Sequence, residues 1–281
     1  MKIDAHQHFW HYSPTTHGWI KEEMKAIRKS FLPDDLAPVL NANGVDGCVA
    51  VQADQTEAES QFLLDLAGEN PFIKAVVGWT DLKSDSLEAR LEAYQSHELL
   101  KGFRHIAQGQ PAGFLIDPAF SNGIAKLNDF GFSYDMLVFN NQLPEVVELV
   151  KKLPEMRLVL DHIGKPNIQA GEFAEWKQEI ERLSAFEHLY VKLSGLVTEA
   201  NWQQWQLSDF EPYIESILDA FGPDRIMFGS DWPVCLVAAD YGQVLTIVNQ
   251  YIEKLSTAEQ AAIMGENAKR FYNLNSKCNE L

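Results

Sequence analysis

Eight short apolar runs, each of strand length, recur along the 281-residue chain and set the strongest limit on its fold. They occupy residues 2–9, 46–52, 72–79, 102–106, 132–139, 157–162, 189–194 and 225–229. Between them lie amphipathic stretches with helical spacing, among them 57–68, 86–95, 144–152, 173–183 and 209–221. Strands that alternate with helices in this way read as βα units on a parallel sheet. Eight such units favour closure, giving an α/β protein with a (β/α)8 TIM barrel, a fold that typically takes about 250 residues. A capping-box pattern, Ser256-Thr257-Ala258-Glu259, opens a further helix expected to run to about Tyr272. With no proline-rich linker or low-complexity tract, the reading is a single domain over 1–281. The irregular stretch 11–33, which contains Trp19, follows the first strand and is placed to cover the barrel mouth.

Composition narrows the function classes. At 46% hydrophobic and 22% charged residues, the chain can bury a large core. A net charge of -17 disfavours contact with nucleic acid or an anionic membrane. No apolar run approaches the length of a membrane span, and the N-terminal residues lack the apolar segment of a secretory signal. Cys48, Cys235 and Cys278 form no Cys-x-x-Cys pair, and an odd count fits a reducing compartment. The expectation is a cytoplasmic enzyme acting on a small molecule, with a homo-oligomer left open.

Barrels of this type place their chemistry at the C-terminal ends of the strands. The first run ends Asp4-Ala5-His6-Gln7-His8, and strand alternation puts His6 and His8 on one side. The second ends at Gln52 and the fourth at Arg104-His105, while the fifth carries Tyr134 and Asp135. The sixth ends Asp161-His162, the seventh offers Lys192 and Ser194, and the eighth ends Gly229-Ser230-Asp231-Trp232-Pro233. Each has an ordinary reading taken alone. A histidine pair can be packing, an aspartate after a strand a turn residue, Arg104 an ion-pair partner, and Trp10, Trp19 and Trp232 core. Their concentration at one end of successive strands is what points to a site.

These motifs have a family likeness. Asp4-Ala5-His6-Gln7-His8-Phe9-Trp10, Gly102-Phe103-Arg104-His105, Asp161-His162-Ile163-Gly164-Lys165-Pro166, Lys192-Leu193-Ser194-Gly195-Leu196 and Gly229-Ser230-Asp231-Trp232-Pro233 together resemble the amidohydrolase superfamily. The similarity is to its amidohydrolase-2 branch, which includes lactonases for L-fucono- and L-rhamnonolactone, and it spans Ile3 to about Tyr272. It implies that His6, His8 and Asp231 surround one divalent metal ion such as zinc. The chain departs from the superfamily pattern at two places. The fifth strand ends Leu137-Val138-Phe139-Asn140 without the usual histidine, which comes instead from the sixth as His162. His105 stands where binuclear members carry a lysine, so a two-metal centre is not expected, and metal-free catalysis stays open.

Opening a lactone needs an activated water, a polarised carbonyl and a proton for the departing ring oxygen. Asp231 is the candidate general base. A metal would lower the pKa of the water or polarise the carbonyl. Without one, His6, His8 and His162 would donate to the oxyanion, with His105 and Arg104 adding charge stabilisation. Gln52, Arg104, Tyr134 and Lys192 are candidates to bind sugar hydroxyls, and Trp19 and Trp232 to supply flat walls. Two competing readings are a metal-dependent decarboxylase of an unsaturated or aromatic acid, and a barrel that binds without turnover.

Overall fold

The computed structural model describes residues 1–274. Every one of the eight apolar runs is a strand: β1 (Ile3–Gln7), β2 (Gly47–Val51), β3 (Ile73–Gly78), β4 (Leu100–Ile106), β5 (Ser133–Leu137), β6 (Leu158–Leu160), β7 (Leu189–Leu193) and β8 (Ile226–Phe228). They pair in sequence order, each parallel to the next. Closure falls just beyond β8, where the Asp231 amide donates to the His6 carbonyl at 2.9 Å and the His8 amide to the Trp232 carbonyl at 2.7 Å. The arrangement is a (β/α)8 barrel.

Alternation along the strands sorts side chains into two cores. Ile3, Ala5, Val49, Val51, Ala75, Val77, Val159 and Met227 point inward and meet Phe271 and Tyr272, which plug the floor. Cys48, Ala50, Val76, Phe103, Tyr134 and Leu160 point outward and pack under the helices. The outer layer includes Glu57–Glu69, whose first turn is capped by Thr56 Oγ1 accepting from the Glu59 amide. Leu143–Lys152 and Leu207–Phe221 bury one apolar face each, as their spacing predicts.

The predicted capping box at Ser256 and Glu259 is present in both directions. The helix it opens is interrupted, however. Thr257–Ala261 gives way to a π turn, Ala262–Glu266, before Asn267–Phe271 resumes. Gly265 lies so close to the Met1 carbonyl and the Lys2 Cα that no side chain would fit, which seats this turn under β1. Among the described residues no helix is long and apolar enough to cross a membrane.

Candidate active site

The site is built at the seam where the barrel closes. Pairing of β1 with β2 slips between Asp4 and Gln7, so that three steps on β1 oppose two on β2. This bulge switches the parity of the strand. Ile3 and Ala5 face the interior below it, yet His6 also turns inward, toward Arg104, Asp161 and Lys192. Asp4 faces the other way and stitches the seam. Its Oδ1 accepts from the amides of His6 and Ser230, and its Oδ2 from the hydroxyls of Ser230 and Tyr241. Burial pushes the Asp4 carboxyl up to about 6 against those four donors. Gly229 is required here because a Cβ would lie 2.7 Å from that of His6.

His6, His8 and Asp231 converge. His6 Nε2 and His8 Nε2 are 3.2 Å apart, and Asp231 Oδ1 stands 3.3 Å from His8 Nε2 and 4.0 Å from His6 Nε2. His8 Nδ1 faces the Val51 carbonyl at 2.7 Å, so Nδ1 carries the proton and Nε2 the lone pair. Burial holds the His6 imidazole well below its ordinary pKa of 6.5, and it is neutral. Asp231 stays ionised: burial would raise its pKa, but His162, His8 and His6 outweigh that and lower it. A zinc ion with bonds of about 2.0–2.2 Å sets tetrahedral ligand atoms roughly 3.3 Å apart. The separations of 3.2 and 3.3 Å about His8 Nε2 match that spacing, and the 4.0 Å between Asp231 Oδ1 and His6 Nε2 is wider. A carboxylate with two imidazoles is also donor chemistry that zinc accepts.

His162 completes this wall. Its Nδ1 is 2.9 Å from Ser194 Oγ and its ring centroid 4.4 Å from that of His6. Burial pushes its pKa down to about 4 despite Asp231 and Asp161 nearby. The backbone here is unusual. His162, Ile163, Gly164 and Lys165 all have left-handed conformations, with φ of 53°, 48°, 73° and 49°. Each non-glycine residue in that region costs on the order of 1–3 kcal/mol and persists only where its surroundings dictate it. Trp176 Nε1 anchors the turn through the Ile163 carbonyl at 2.7 Å, and Gly195 leaves no space beside the His162 ring. Asp231 itself has φ of 57°.

An ionic cluster lies behind these residues. Arg104 NH1 is 3.1 Å from Asp161 Oδ2 and 3.2 Å from His6 Nε2. Lys192 Nζ contacts Asp135 Oδ2 at 2.5 Å and Asp161 Oδ1 at 3.0 Å. Burial would raise the Asp161 carboxyl, but Lys192, His6 and Arg104 hold it well below the ordinary range. Burial raises Asp135, which Lys192 only partly offsets. With Asp231, three carboxylates face two fixed cations across neutral imidazoles. The excess negative charge suits a divalent cation.

The expected residues divide accordingly. His6, His8, His162, Asp231 and Arg104 come together. Gln52 joins them indirectly, its Oε1 accepting from Arg104 NH2 at 3.0 Å. Lys192 is wholly buried and held by two carboxylates, so it organises the site rather than offering a free cation to a sugar. Two candidates lie elsewhere, and strand alternation is the reason. With Arg104 turned inward, His105 turns outward, stacking on Phe114 and accepting from Trp79 Nε1 at 3.2 Å. With Asp135 turned inward, Tyr134 turns outward beside Phe120 in the helix layer. Trp232 is buried against Phe9 and Phe31, whereas Trp19 is 36% exposed and edge-on to Trp10. Asp161 and Asp135 stand among the polar residues at the strand ends but receive no role from the sequence, and Tyr272 is not among the expected site residues. Asp161 immediately precedes His162, and the same alternation that removes Tyr134 selects Asp135.

Residues 3–274 match the family described as Amidohydrolase. The chain belongs to that family. The amidohydrolase is 41% identical to the L-fucono-1,5-lactonase of Burkholderia multivorans, across 98% of this chain and 96% of the relative. It is 34% identical to the L-fucono-1,5-lactonase of Burkholderia ambifaria, with the same coverage of 98% and 96%. A crystal structure of an amidohydrolase from Burkholderia multivorans with bound Zn superposes with a TM-score of 0.95 at 41% identity, spanning 98% of this chain and 100% of the other.

Proposed function

We propose that this amidohydrolase opens a sugar lactone of the L-fucono-1,5-lactone type to its aldonic acid. The observation that carries the reading is the convergence of His6 Nε2, His8 Nε2 and Asp231 Oδ1 within 4.0 Å, in a chain 41% identical to a lactonase along nearly its whole length. One divalent ion such as zinc, bound by these three, would lower the pKa of a water and polarise the lactone carbonyl. Asp231 takes the proton from the attacking water and returns it to the ring oxygen as the carbon–oxygen bond breaks. His162, neutral and fixed by Ser194, donates to the oxyanion, and the Arg104 guanidinium adds positive potential from behind. Gln52, Lys192 and Trp232 hold these groups in place, while Trp19 offers its exposed face to the sugar.

Loop 11–33 serves as the cover of the mouth. It is pinned at its base by two backbone hydrogen bonds of 3.0 Å between Trp10 and Phe31. A reducing, cytoplasmic setting suits Cys48 and Cys235, both buried free thiols; Cys278 lies outside the described residues.

Proton release from a panel of aldonolactones, with and without chelator, tests the reaction, the sugar and the metal together. Ring opening of a six-membered 6-deoxy lactone, lost with chelator and restored by zinc, is the expected result. Carbon dioxide release from aromatic or dienoic acids, with no lactone turnover, would replace this reading by a decarboxylase.

A further inference from the structure

We propose that Asp135, aimed by Tyr272 of the C-terminal segment, is a positioning residue that selects the tautomer of His6. The inference rests on the metal-site reading above, because only one tautomer of His6 can ligate through Nε2.

Two neighbours compete for His6 Nδ1. Lys192 Nζ lies 3.1 Å away and Asp161 Oδ1 3.3 Å away. They demand opposite things. An ammonium can only donate, so a Lys192 proton directed at Nδ1 places the ring proton on Nε2. That proton would point at His8 Nε2, only 3.2 Å off, and close the position to a cation. A carboxylate attracts a proton, so Asp161 favours the one on Nδ1 by charge, and the Arg104 guanidinium, 3.2 Å from Nε2 and able only to donate, favours the same tautomer. Lys192 thus opposes the tautomer that Asp161 and Arg104 favour, and its hold on Nδ1 weakens as its ammonium protons are drawn elsewhere.

Asp135 supplies that pull. Its Oδ2 accepts from Lys192 Nζ at 2.5 Å, the shortest of the contacts made by the ammonium, and Asp161 Oδ1 adds a charge contact at 3.0 Å without a hydrogen bond. Asp135 is in turn aimed from below. The Tyr272 hydroxyl donates to the same Oδ2 at 2.7 Å, while Oδ1 has no hydrogen-bond partner. The Tyr272 ring also lies under the ammonium, 5.7 Å from Nζ to the centroid. Asp135, Lys192, Asp161, His6 and Tyr272 are all fully buried, so water does not take over these contacts. A path of direct contacts thus runs from the barrel floor, through Asp135 and Lys192, to a metal-ligating nitrogen.

A buried Lys–Asp pair that only filled space would not need this geometry, because apolar residues of similar volume are often as stable or more so. Partners of this outer kind commonly change metal affinity by about 10–100-fold when removed.

The test uses the full chain as wild type, Asp135→Asn and Tyr272→Phe. Long-range proton–nitrogen NMR spectra of the zinc-free proteins report the histidine tautomers, with His6 identified by its loss in His6→Asn. Zinc affinity is measured by competition with a chromogenic chelator. The wild type is expected to carry its proton on Nδ1 of His6. Asp135→Asn should move it toward Nε2 and weaken zinc binding about 10–100-fold, and Tyr272→Phe should do both to a smaller extent. Unchanged tautomers and zinc affinity in folded variants, with only Tm lowered, would overturn the proposal. Should Asp135→Asn not fold, Tyr272→Phe alone decides. A wild type that takes up no zinc defeats the metal reading, and the tautomer spectra still judge the role of Asp135.

Discussion

The two halves of the barrel interior are equally buried and chemically opposite. On β1 to β3, apart from His6 above the bulge, the inward residues are Ile3, Ala5, Val49, Val51, Ala75 and Val77. From β4 to β7 they include Arg104, Asp135, Asp161 and Lys192. The apolar side gains stability in increments, each methyl group contributing on its own. The ionic side works collectively, because every charge there has given up water and depends on its neighbours. The apolar wall adds to this dependence by lowering the local dielectric. Removing one member should therefore cost little on one side and a great deal on the other.

Asp231→Asn should have the largest effect, cutting kcat by about 10²–10⁴-fold, the usual contribution of a general base. Steady-state lactone hydrolysis and an unchanged circular dichroism spectrum would check it, and near-wild-type turnover would remove Asp231 from the chemistry. Lys192→Met strands Asp135 without its cation and leaves Asp161 with Arg104 alone, and urea denaturation should show a loss of about 3–5 kcal/mol. A loss below about 1 kcal/mol would mean that the ionic half is not collective after all.

Acid should act through the same half. Burial lowers His162 from its ordinary 6.5 to about 4. As pH falls, the unfolded chain takes up this proton first, so the stability it confers is full above pH 6.5 and drains away toward pH 4. For zinc-free protein the total is about 3 kcal/mol. His105, also pushed down to about 4 by burial, adds in the same direction. Denaturation across this range should show the slope, and His162→Asn should flatten it. The smallest effect is expected on the apolar side: Ile3→Val should cost only about 0.5–1.5 kcal/mol.

Much of this architecture is legible from spacing alone. The eight runs, their order and the gathering of polar residues at their ends follow from two periodicities, 2.0 and 3.6. His6, His8 and Asp231 follow from position at those ends, with the family likeness assigning their role. The misplacements have one cause. Taken strictly, alternation allows only one of Arg104 and His105, and one of Tyr134 and Asp135, to face inward. It does not say which, because both faces of a barrel strand are buried and polar residues occur on each. The bulge in β1 is harder to see. It has no glycine or proline signature in Asp4-Ala5-His6-Gln7, and it depends on Asp4 being satisfied by Ser230 and Tyr241 far along the chain. The interruption of the last helix similarly comes from the contact of Gly265 with Met1, a tertiary demand that local propensity does not encode.

The seam also sets an order of events during synthesis. Two of the three proposed metal ligands belong to the first strand region, but the third follows the last strand, and 226 positions separate Asp4 from the Ser230 it binds. A ribosome-bound chain lacking β8 would expose His6 and His8 without the carboxylate that completes their grip. Capture of a cation by this set would therefore wait for ring closure, which would make its uptake a report that the first and last strands have met.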